Sequence, residues 1–173
     1  TRLMRERLLE AGNLPRVRRP GAPTERTVRH VLAVSEAYVA LTESAREHGF
    51  SLEQFAAEPA SWWPNGLGGY VRPDAYAVLA TDRVRDRWWL ELDLATESLP
   101  AVKRQLASYL DFWDRGQLGP GKITPRVVIA TTTPERRQAI AGLVKQFPSA
   151  PTDLFLIVQI HELANALYQV LLE

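Results

Sequence analysis

The chain has 173 residues, of which 46% are hydrophobic and 24% charged, with a net charge of +1 at neutral pH. This composition is typical of a soluble globular domain, and the absence of cysteine excludes a disulfide framework, a thiolate nucleophile and any zinc site built on cysteine. No apolar run approaches the roughly 18–20 residues that cross a bilayer, and no signal peptide begins the chain. These features predict a cytoplasmic protein that does not bind membranes.

The charge is distributed unevenly along the chain. Residues 1–29 contain eight arginines and three glutamates, whereas the other 144 residues contain thirteen basic and seventeen acidic residues. A basic segment is suited to phosphate contacts, because each guanidinium offers a planar fork of donors, but a solvated N-terminus explains it equally well. The candidates for nucleic-acid contact in this segment are Arg16, Arg18 and Arg19.

The domain organisation follows from that asymmetry. We expect residues 1–26 to form a basic N-terminal segment, which resembles the tail of a winged-helix module, followed by one α/β domain over 27–173. Within the segment, residues 2–11 have the spacing of a short helix, and the prolines that follow predict a basic loop. The chain begins at Thr1 rather than Met, which suits a fragment of a longer protein.

The hydrophobic periodicity predicts the order helix, two or three antiparallel strands, helix, strand, helix, strand, helix. The predicted helices cover 27–48, 98–113, 134–147 and 161–172, and the predicted strands lie in 50–63, 71–79, 88–94, 126–131 and 153–160. Strands joined by helices imply parallel crossovers, so we expect a mixed β-sheet with helices on both faces. The adjacent Trp88 and Trp89 should then place one ring on each face. No glycine-rich phosphate loop follows a strand, which argues against nucleotide binding. We also expect no small-molecule cofactor.

Three carboxylates interrupt this otherwise apolar pattern. Glu91 and Asp93 share one face of their predicted strand, and a hairpin would bring Asp74, placed in the middle of the preceding strand, beside them. Acids gathered in this way suit Mg²⁺ or Mn²⁺, which prefer oxygen ligands. The alternatives are a turn role for Asp74 and a solvent-facing strand for Glu91 and Asp93.

The element order and motifs resemble the PD-(D/E)xK nuclease superfamily. The αβββαβ order carries Arg72-Pro73-Asp74 and Glu91-Leu92-Asp93, and Gln105-Leu106-Ala107-Ser108-Tyr109 is similar to the Q-x-x-x-Y helix motif of its RecB-like members. More narrowly, residues 27–147 resemble the replication-relaxation family of bacterial plasmid and mobile-element proteins. The segments that carry this second resemblance are His30-Val31-Leu32-Ala33-Val34, Val71 to Tyr76, Glu91-Leu92-Asp93 with Thr96-Glu97-Ser98, and Tyr109.

The resemblance implies a restriction-endonuclease-like fold with an additional αβα-type C-terminal extension. It also implies a role in plasmid or mobile-element replication or DNA relaxation, with double-stranded DNA as the partner and Mg²⁺ or Mn²⁺ as the cofactor of a nuclease or nickase. By this resemblance Asp74, Glu91, Asp93 and His30 would hold the metal. Gln105 and Tyr109 would line the same site, and Arg72 would contact DNA.

One departure from the superfamily pattern concerns catalysis. The second motif normally ends in a lysine that activates water, but Asp93 stands at that position, so Lys103 on the following helix is the candidate substitute. The alternative function is a catalytically inactive DNA-binding or protein-interaction module of the same fold. A homodimer formed through the tryptophans and the last helix is a further possibility.

Overall fold

The computed structural model describes residues 22–147 and 150–173. Its α-helices are α1 (Glu25–His48), α2 (Leu99–Asp114), α3 (Pro134–Val144) and α4 (Leu163–Leu172). Its strands are β1 (Ser51–Ala57), β2 (Trp63–Pro64), β3 (Tyr70–Val71), β4 (Ala75–Ala80), β5 (Arg85–Asp93), β6 (Arg126–Thr131) and β7 (Phe155–Gln159). In this part of the chain, no helix is both long and apolar enough to cross a membrane.

Five strands form one mixed sheet in the order β1-β4-β5-β6-β7. The first three pair antiparallel, whereas β5, β6 and β7 run parallel and are joined by α2 and α3. The short strands β2 and β3 form a separate hairpin. The predicted α/β class and mixed sheet are therefore confirmed, and the αβα extension corresponds to α3, β7 and α4.

Helices cover both faces of this sheet. On one face α1 and α4 pack against alternate strand residues that include Trp88, Leu90 and Leu92. On the other face α2 and α3 pack against the intervening residues, which include Trp89. Both indoles are buried, as the alternation of strand side chains predicts.

Capping residues set the helix ends that position the site. Thr24 caps α1 by accepting a hydrogen bond from the Thr27 N–H, and Gly49 ends α1 in the left-handed conformation with φ of 74°. Ser98 caps α2 in the same way by accepting from the Ala101 N–H. These residue types are the ones favoured at such helix ends, and α1 and α2 begin within two residues of the predicted positions.

Several predicted boundaries and orientations were wrong. Pro73 separates β3 from β4, because it has no N–H for the ladder, so Asp74 lies just before β4 and not within a continuous strand. In α2 the hydrophobic spacing favours an inward Trp113, but its side chain is exposed and that of Phe112 is buried. The last predicted helix begins with a 3-10 turn at Ile160–Glu162, so α4 starts only at Leu163. The predicted helix at 2–11 and the basic loop lie outside the described residues.

Candidate functional site

A cavity of about 320 Å³ opens at the end of β5, between α1 and α2. Its charged lining is mostly acidic, which disfavours the direct approach of a phosphate without a cation. The acidic lining residues are Glu58, Asp74, Glu91, Asp93 and Glu97, and the basic ones are Arg26 and His30. The cavity therefore gathers residues that are distant in sequence, from α1, β5, the turn before β4 and the turn before α2.

Asp74 is held at the end of the β4–β5 pairing. Ala75 pairs with Leu90, so the next position along this antiparallel register places Asp74 opposite Glu91. The Oδ2 of Asp74 accepts a hydrogen bond of 2.7 Å from the Leu92 N–H. The carboxylate thus extends the pairing of the two strands by one more hydrogen bond.

The other oxygen of Asp74 faces α1. Its Oδ1 lies 3.0 Å from Nε2 of His30, and the two side chains are 16% and 27% exposed. The hydrogen bond to Asp74 raises the pKa of His30 above its ordinary value, although partial burial opposes the shift. The two side chains therefore form an ion pair at the mouth of the cavity when His30 is protonated.

Glu91 is the buried acid of the site, with only 6% of its surface exposed. Burial raises its pKa well above the ordinary value, and the neighbouring Asp74 charge raises it further. Hydrogen bonds from Tyr109 and Gln105 act in the opposite direction but do not outweigh burial. Glu91 therefore tends to keep its proton as the folded protein passes through the pH range where exposed glutamates ionise.

Tyr109 and Gln105 bring one face of α2 to this acid. The hydroxyl of Tyr109 donates a short hydrogen bond to Oε1 of Glu91. Burial, followed by the Glu91 charge, raises the pKa of Tyr109 well above its ordinary value, so the phenol stays neutral and remains a donor. Residues 105 and 109 are four positions apart and so share one face of α2, which places both next to Glu91.

Asp93 is directed to a different partner from Glu91. Its carboxylate forms an ion pair with Arg136 of α3, with an N–O distance of 2.9 Å, and the two side chains are 8% and 13% exposed. Arg136 also donates to the backbone carbonyl of Glu97, and Asp93 accepts from the Ala95 N–H. This pair fixes the turn between β5 and α2 at the edge of the cavity.

Sequence reasoning missed Arg136. It lies 43 residues from Asp93, but it occupies the first turn of the helix that follows β6. Because β5 and β6 are parallel neighbours, their carboxyl ends meet at the same edge of the sheet. In the sequence, the one indication of this contact was a basic residue just after the strand at 126–131.

Lys103 points away from the carboxylates. Its Nζ donates a hydrogen bond of 2.7 Å to Gln146 and lies 5.9 Å from the centre of the Phe147 ring. In the part of the chain that the structure describes, Lys103 is not among the residues that line the cavity. The geometry thus gives this lysine contacts with the end of α3 and none with Asp74 or Glu91.

The predicted DNA contacts lie elsewhere. Arg72 is exposed, and its guanidinium carbon is 4.8 Å above the centre of the Trp62 ring, a cation–π contact. The predicted phosphate-binding residues Arg16, Arg18 and Arg19 lie outside the described residues. Of the predicted DNA-binding arginines, Arg72 is the one within the described residues. It stacks on the Trp62 ring just before β4.

The predicted metal ligands do not form a complete side-chain cage. Over residues 22–147 and 150–173, no group of three or more His, Asp or Glu side chains is arranged to hold an ion. Asp93 is engaged by Arg136, while Asp74 and Glu91 face each other across neighbouring strands. Of the three predicted carboxylate ligands, Asp74 and Glu91 are therefore the two that form no ion pair with Arg136.

Comparison with known protein families decides the assignment. A family model described as replication-relaxation matches residues 3–127. The chain belongs to the replication-relaxation family. Membership in the replication-relaxation family indicates a role in replication or DNA relaxation, and it supports the predicted association with mobile elements. Neither the curated proteins nor the solved structures include a match to this chain.

The span of the replication-relaxation match differs from the predicted similarity over 27–147. It begins at residue 3 and so includes most of the basic N-terminal segment, and it ends at residue 127, within β6. The cavity residues His30, Asp74 and Glu91 fall inside it, whereas Arg136 falls beyond it. The pair between Asp93 and Arg136 therefore joins the replication-relaxation region to the C-terminal part of the sheet.

Proposed function

We propose that this domain acts on the DNA backbone during replication or relaxation of a plasmid or mobile element, as a divalent-cation-dependent nuclease related to the PD-(D/E)xK superfamily. The phosphate to be cleaved would bind at the cavity of Asp74 and Glu91. The observation that carries the proposal is the convergence of His30, Asp74, Glu91 and Tyr109 on one cavity. These residues come from separate elements and match the motifs by which the chain resembles that superfamily.

The energetic cost of Glu91 supports a functional role. A carboxyl group that is 6% exposed and faces another acid destabilises the fold unless a compensating interaction is present. Strongly shifted acids in a cavity are typical of sites that bind cations or move protons. An apolar side chain at this position of β5 would serve the core better, so the carboxyl group is explained by chemistry rather than by packing.

The donor set of the cavity fits Mg²⁺ or Mn²⁺ as a partial site. Mg²⁺ is commonly held by one or two carboxylates, and its other positions are completed by water and by substrate phosphate. Asp74 and Glu91 provide two carboxylates, and the pairing of Ala75 with Leu90 puts them opposite each other on neighbouring strands. A cation held there would polarise the phosphodiester.

The protein residues have distinct tasks in this proposal. Asp74 is oriented by the Leu92 N–H and His30, so a cation at its Oδ1 would share that oxygen with His30 or displace the imidazole. Tyr109 and Gln105 orient the carboxyl group of Glu91 and favour its ionised form. Glu91 must release its proton before it can bind a cation, so binding is expected to strengthen as the pH rises.

A second function is favoured by a specific observation. The position that normally holds the water-activating lysine carries Asp93, which is neutralised by Arg136, and Lys103 contacts Gln146 instead. A domain with this arrangement could bind DNA or a protein without cleaving DNA. Arg136 cannot replace the lysine as a base, because a guanidinium does not lose its proton in proteins.

A nicking assay tests the proposal. Supercoiled and linear DNA are incubated with the protein in Mg²⁺, Mn²⁺ or EDTA, and the same assays are run on Asp74→Asn and Glu91→Gln. These isosteric changes keep the side-chain volume while removing a charge. Asp82→Asn is the matched control, because Asp82 lies in the exposed turn between β4 and β5. We expect cation-dependent cleavage that both site variants lose and the control retains.

Binding measurements separate the two functions. Fluorescence anisotropy with labelled double-stranded DNA over a range of salt concentrations reports phosphate contacts through the salt dependence. DNA binding without cleavage, unchanged by EDTA and by both site variants, would establish the non-cleaving function. Cleavage that persists in both variants would show that the cavity is not the site of reaction.

A further inference from the structure

Helix α1 has a second apolar face, opposite the one that packs on the sheet. The inward face carries buried residues such as Ala37 and Leu41. The outward face carries large apolar side chains that are between 42% and 55% exposed, namely Val28, Val31, Leu32, Tyr38 and Val39. Here these five residues, together with Ser35 and Thr42, are called the α1 stripe. Scattered exposed apolar residues are common, but a continuous stripe marks an interaction surface.

The spacing of the α1 stripe is that of a helix-pairing seam. Val28, Ser35 and Thr42 recur every seven residues, and Val31 and Tyr38 fill the intermediate positions. The stripe extends over about 21 Å of a 24-residue helix, at a rise of about 1.5 Å per residue. This length and period suit a second helix lying alongside α1.

The polar members of the stripe are prepared for burial. The hydroxyl of Ser35 donates a hydrogen bond of 2.9 Å to the Val31 carbonyl, and that of Thr42 donates one of 2.8 Å to the Tyr38 carbonyl. Because these two hydroxyls are paired within the helix, covering Ser35 and Thr42 leaves neither donor unsatisfied. Ser35 is also small, which permits close approach at the centre of the stripe.

The charges beside the stripe indicate the direction of the partner helix. Arg29 and Glu43 lie on the same flank of α1, at its two ends, with Glu36 between them. In a parallel pair of identical helices, the charged flank of one helix would face the apolar flank of the other. In an antiparallel pair, the same flanks meet, so Arg29 faces Glu43 of the other helix and Glu43 faces its Arg29.

We propose that the α1 stripe binds the α1 stripe of a second copy of this chain, antiparallel and about a two-fold axis near Ser35. The arrangement places Leu32 against Val39 of the second copy, twice by symmetry. The flanking pairs between Arg29 and Glu43 also form twice, and they fix the direction. Glu36 meets its own counterpart beside the axis, which is a like-charge contact that weakens the dimer. Both inward faces of α1 remain on their own sheets, so dimerisation leaves the cavity residues in place.

The first test is the oligomeric state of the full chain by sedimentation velocity over a range of protein concentrations. We expect a monomer–dimer equilibrium whose dissociation constant rises at least about tenfold in Leu32→Glu and in Val39→Glu, because each variant buries an unpaired charge. Leu67→Glu is the matched control, since Leu67 is 70% exposed in the turn between β2 and β3 and lies outside the stripe. It should dimerise like the parent.

Charge exchange tests the antiparallel direction. Arg29→Glu and Glu43→Arg should each raise the dissociation constant about two- to fivefold, and the double variant should restore it, as expected for exposed ion pairs. Glu36→Gln should strengthen the dimer, because it removes the like-charge contact. An absence of recovery in the double variant would contradict the antiparallel pairing.

A cysteine pair gives an independent test, since the chain has no cysteine. Val28→Cys and Thr42→Cys chains, mixed under mild oxidation, should form a mixed disulfide dimer, whereas each alone should not. Self-disulfides of Val28→Cys would indicate a parallel pair. A protein that is monomeric at all concentrations, or a dimer unaffected by Leu32→Glu and Val39→Glu, overturns the proposal.

Discussion

The two faces of β5 have different roles, because alternate residues of the strand point to opposite sides of the sheet. Trp88, Leu90 and Leu92 point to the α1 and α4 side, where they join an apolar core. Trp89 points to the α2 and α3 side with an aromatic cluster, but Glu91 and then Asp93 follow it on that face. The first face is apolar along its length, whereas the second becomes polar toward the end of the strand.

This difference indicates that the second face of β5 contributes less to the stability of the fold than the first. Apolar burial contributes about 25 cal/mol per Å² of surface, so each residue of the first face supports the fold directly. Glu91 and Asp93 bury polar groups that need Tyr109 and Arg136 as partners. The cavity thus lies on one face of β5, while the other face stabilises the sheet. Substitutions on the two faces should therefore change the free energy of unfolding by different amounts and with different pH dependence.

The largest effect is expected from Leu90→Ala on the apolar face. Leu90 is 1% exposed within the core beneath α1, so its truncation should leave a cavity and lower the free energy of unfolding by about 3–5 kcal/mol. Urea denaturation monitored by circular dichroism measures it. The matched change on the other face, Glu91→Gln, should alter the free energy by less than about 1 kcal/mol at about pH 5, where the folded protein keeps the Glu91 proton. Similar losses in the two variants would contradict the comparison.

Breaking the Asp93 pair should have the next largest effect. Arg136→Met leaves a nearly buried carboxylate without its partner and should lower the free energy of unfolding by roughly 2–4 kcal/mol. Arg137→Met is the control, because Arg137 forms a more exposed ion pair with Glu162, at 3.4 Å, that should contribute less than about 1 kcal/mol. Equal effects of the two substitutions in denaturant titrations would mean that the Asp93 pair is no stronger than a surface pair.

The pH dependence of stability should identify Glu91. Its pKa in the folded protein is raised well above the ordinary value of 4.5. Between that value and the raised pKa, the unfolded chain has lost a proton that the folded chain keeps, so stability falls as the pH rises. Glu91→Gln removes this contribution. Its free energy of unfolding should therefore increase relative to the parent as the pH is raised from about 4.5 through the folded pKa.

The control for this pH series is Asp82→Asn, which changes an exposed acid in the turn between β4 and β5. The difference between this variant and the parent should vary little with pH. The raised pKa of His30 gives the same sign, since its stabilisation is lost as pH rises through its folded pKa, but His30 is present in the parent and in the Glu91→Gln variant alike. A pH-independent difference between parent and Glu91→Gln would mean that Glu91 titrates normally.

The smallest effects are expected from the helix caps on the two faces. Thr24→Ala removes the cap of α1, and Ser98→Ala removes the cap of α2. Each should lower the free energy of unfolding by about 1 kcal/mol, since each cap satisfies one backbone N–H. Thermal unfolding checks both. A much larger loss for Ser98→Ala would show that the turn carrying Glu97 depends on this cap for its conformation.

Much of the fold was predictable because it rests on local patterns. The periodicity of α1, the β-branched run of β6 and the alternation of β5 each specify an element and its buried face. The hydrophobic pattern was insufficient where a single residue changes the geometry. Pro73 divides one predicted strand into β3 and β4, and the rotation of α2 that buries Phe112 depends on its tertiary packing.

The candidate site was predictable only in part. A hairpin brings neighbouring strands together, so the meeting of Asp74 with Glu91 follows from sequence distance, as does the common helix face of Gln105 and Tyr109. The Arg136 contact depends on how α3 packs after a parallel crossover, so the basic residue after β6 indicates the edge of the sheet but not its partner. The predicted roles in catalysis, metal binding and DNA binding stay predictions.

Asp74 illustrates how one side chain can serve two purposes at once. Its hydrogen bond to the Leu92 N–H ends the β4–β5 ladder in a place where Pro73 cannot donate, so the carboxylate would be useful even in a protein that never cleaves DNA. Glu91 has no comparable structural use. In the proposed nuclease, an aspartate at the first position of another replication-relaxation sequence would therefore say nothing about activity. A glutamine or leucine at the second position would mark its loss.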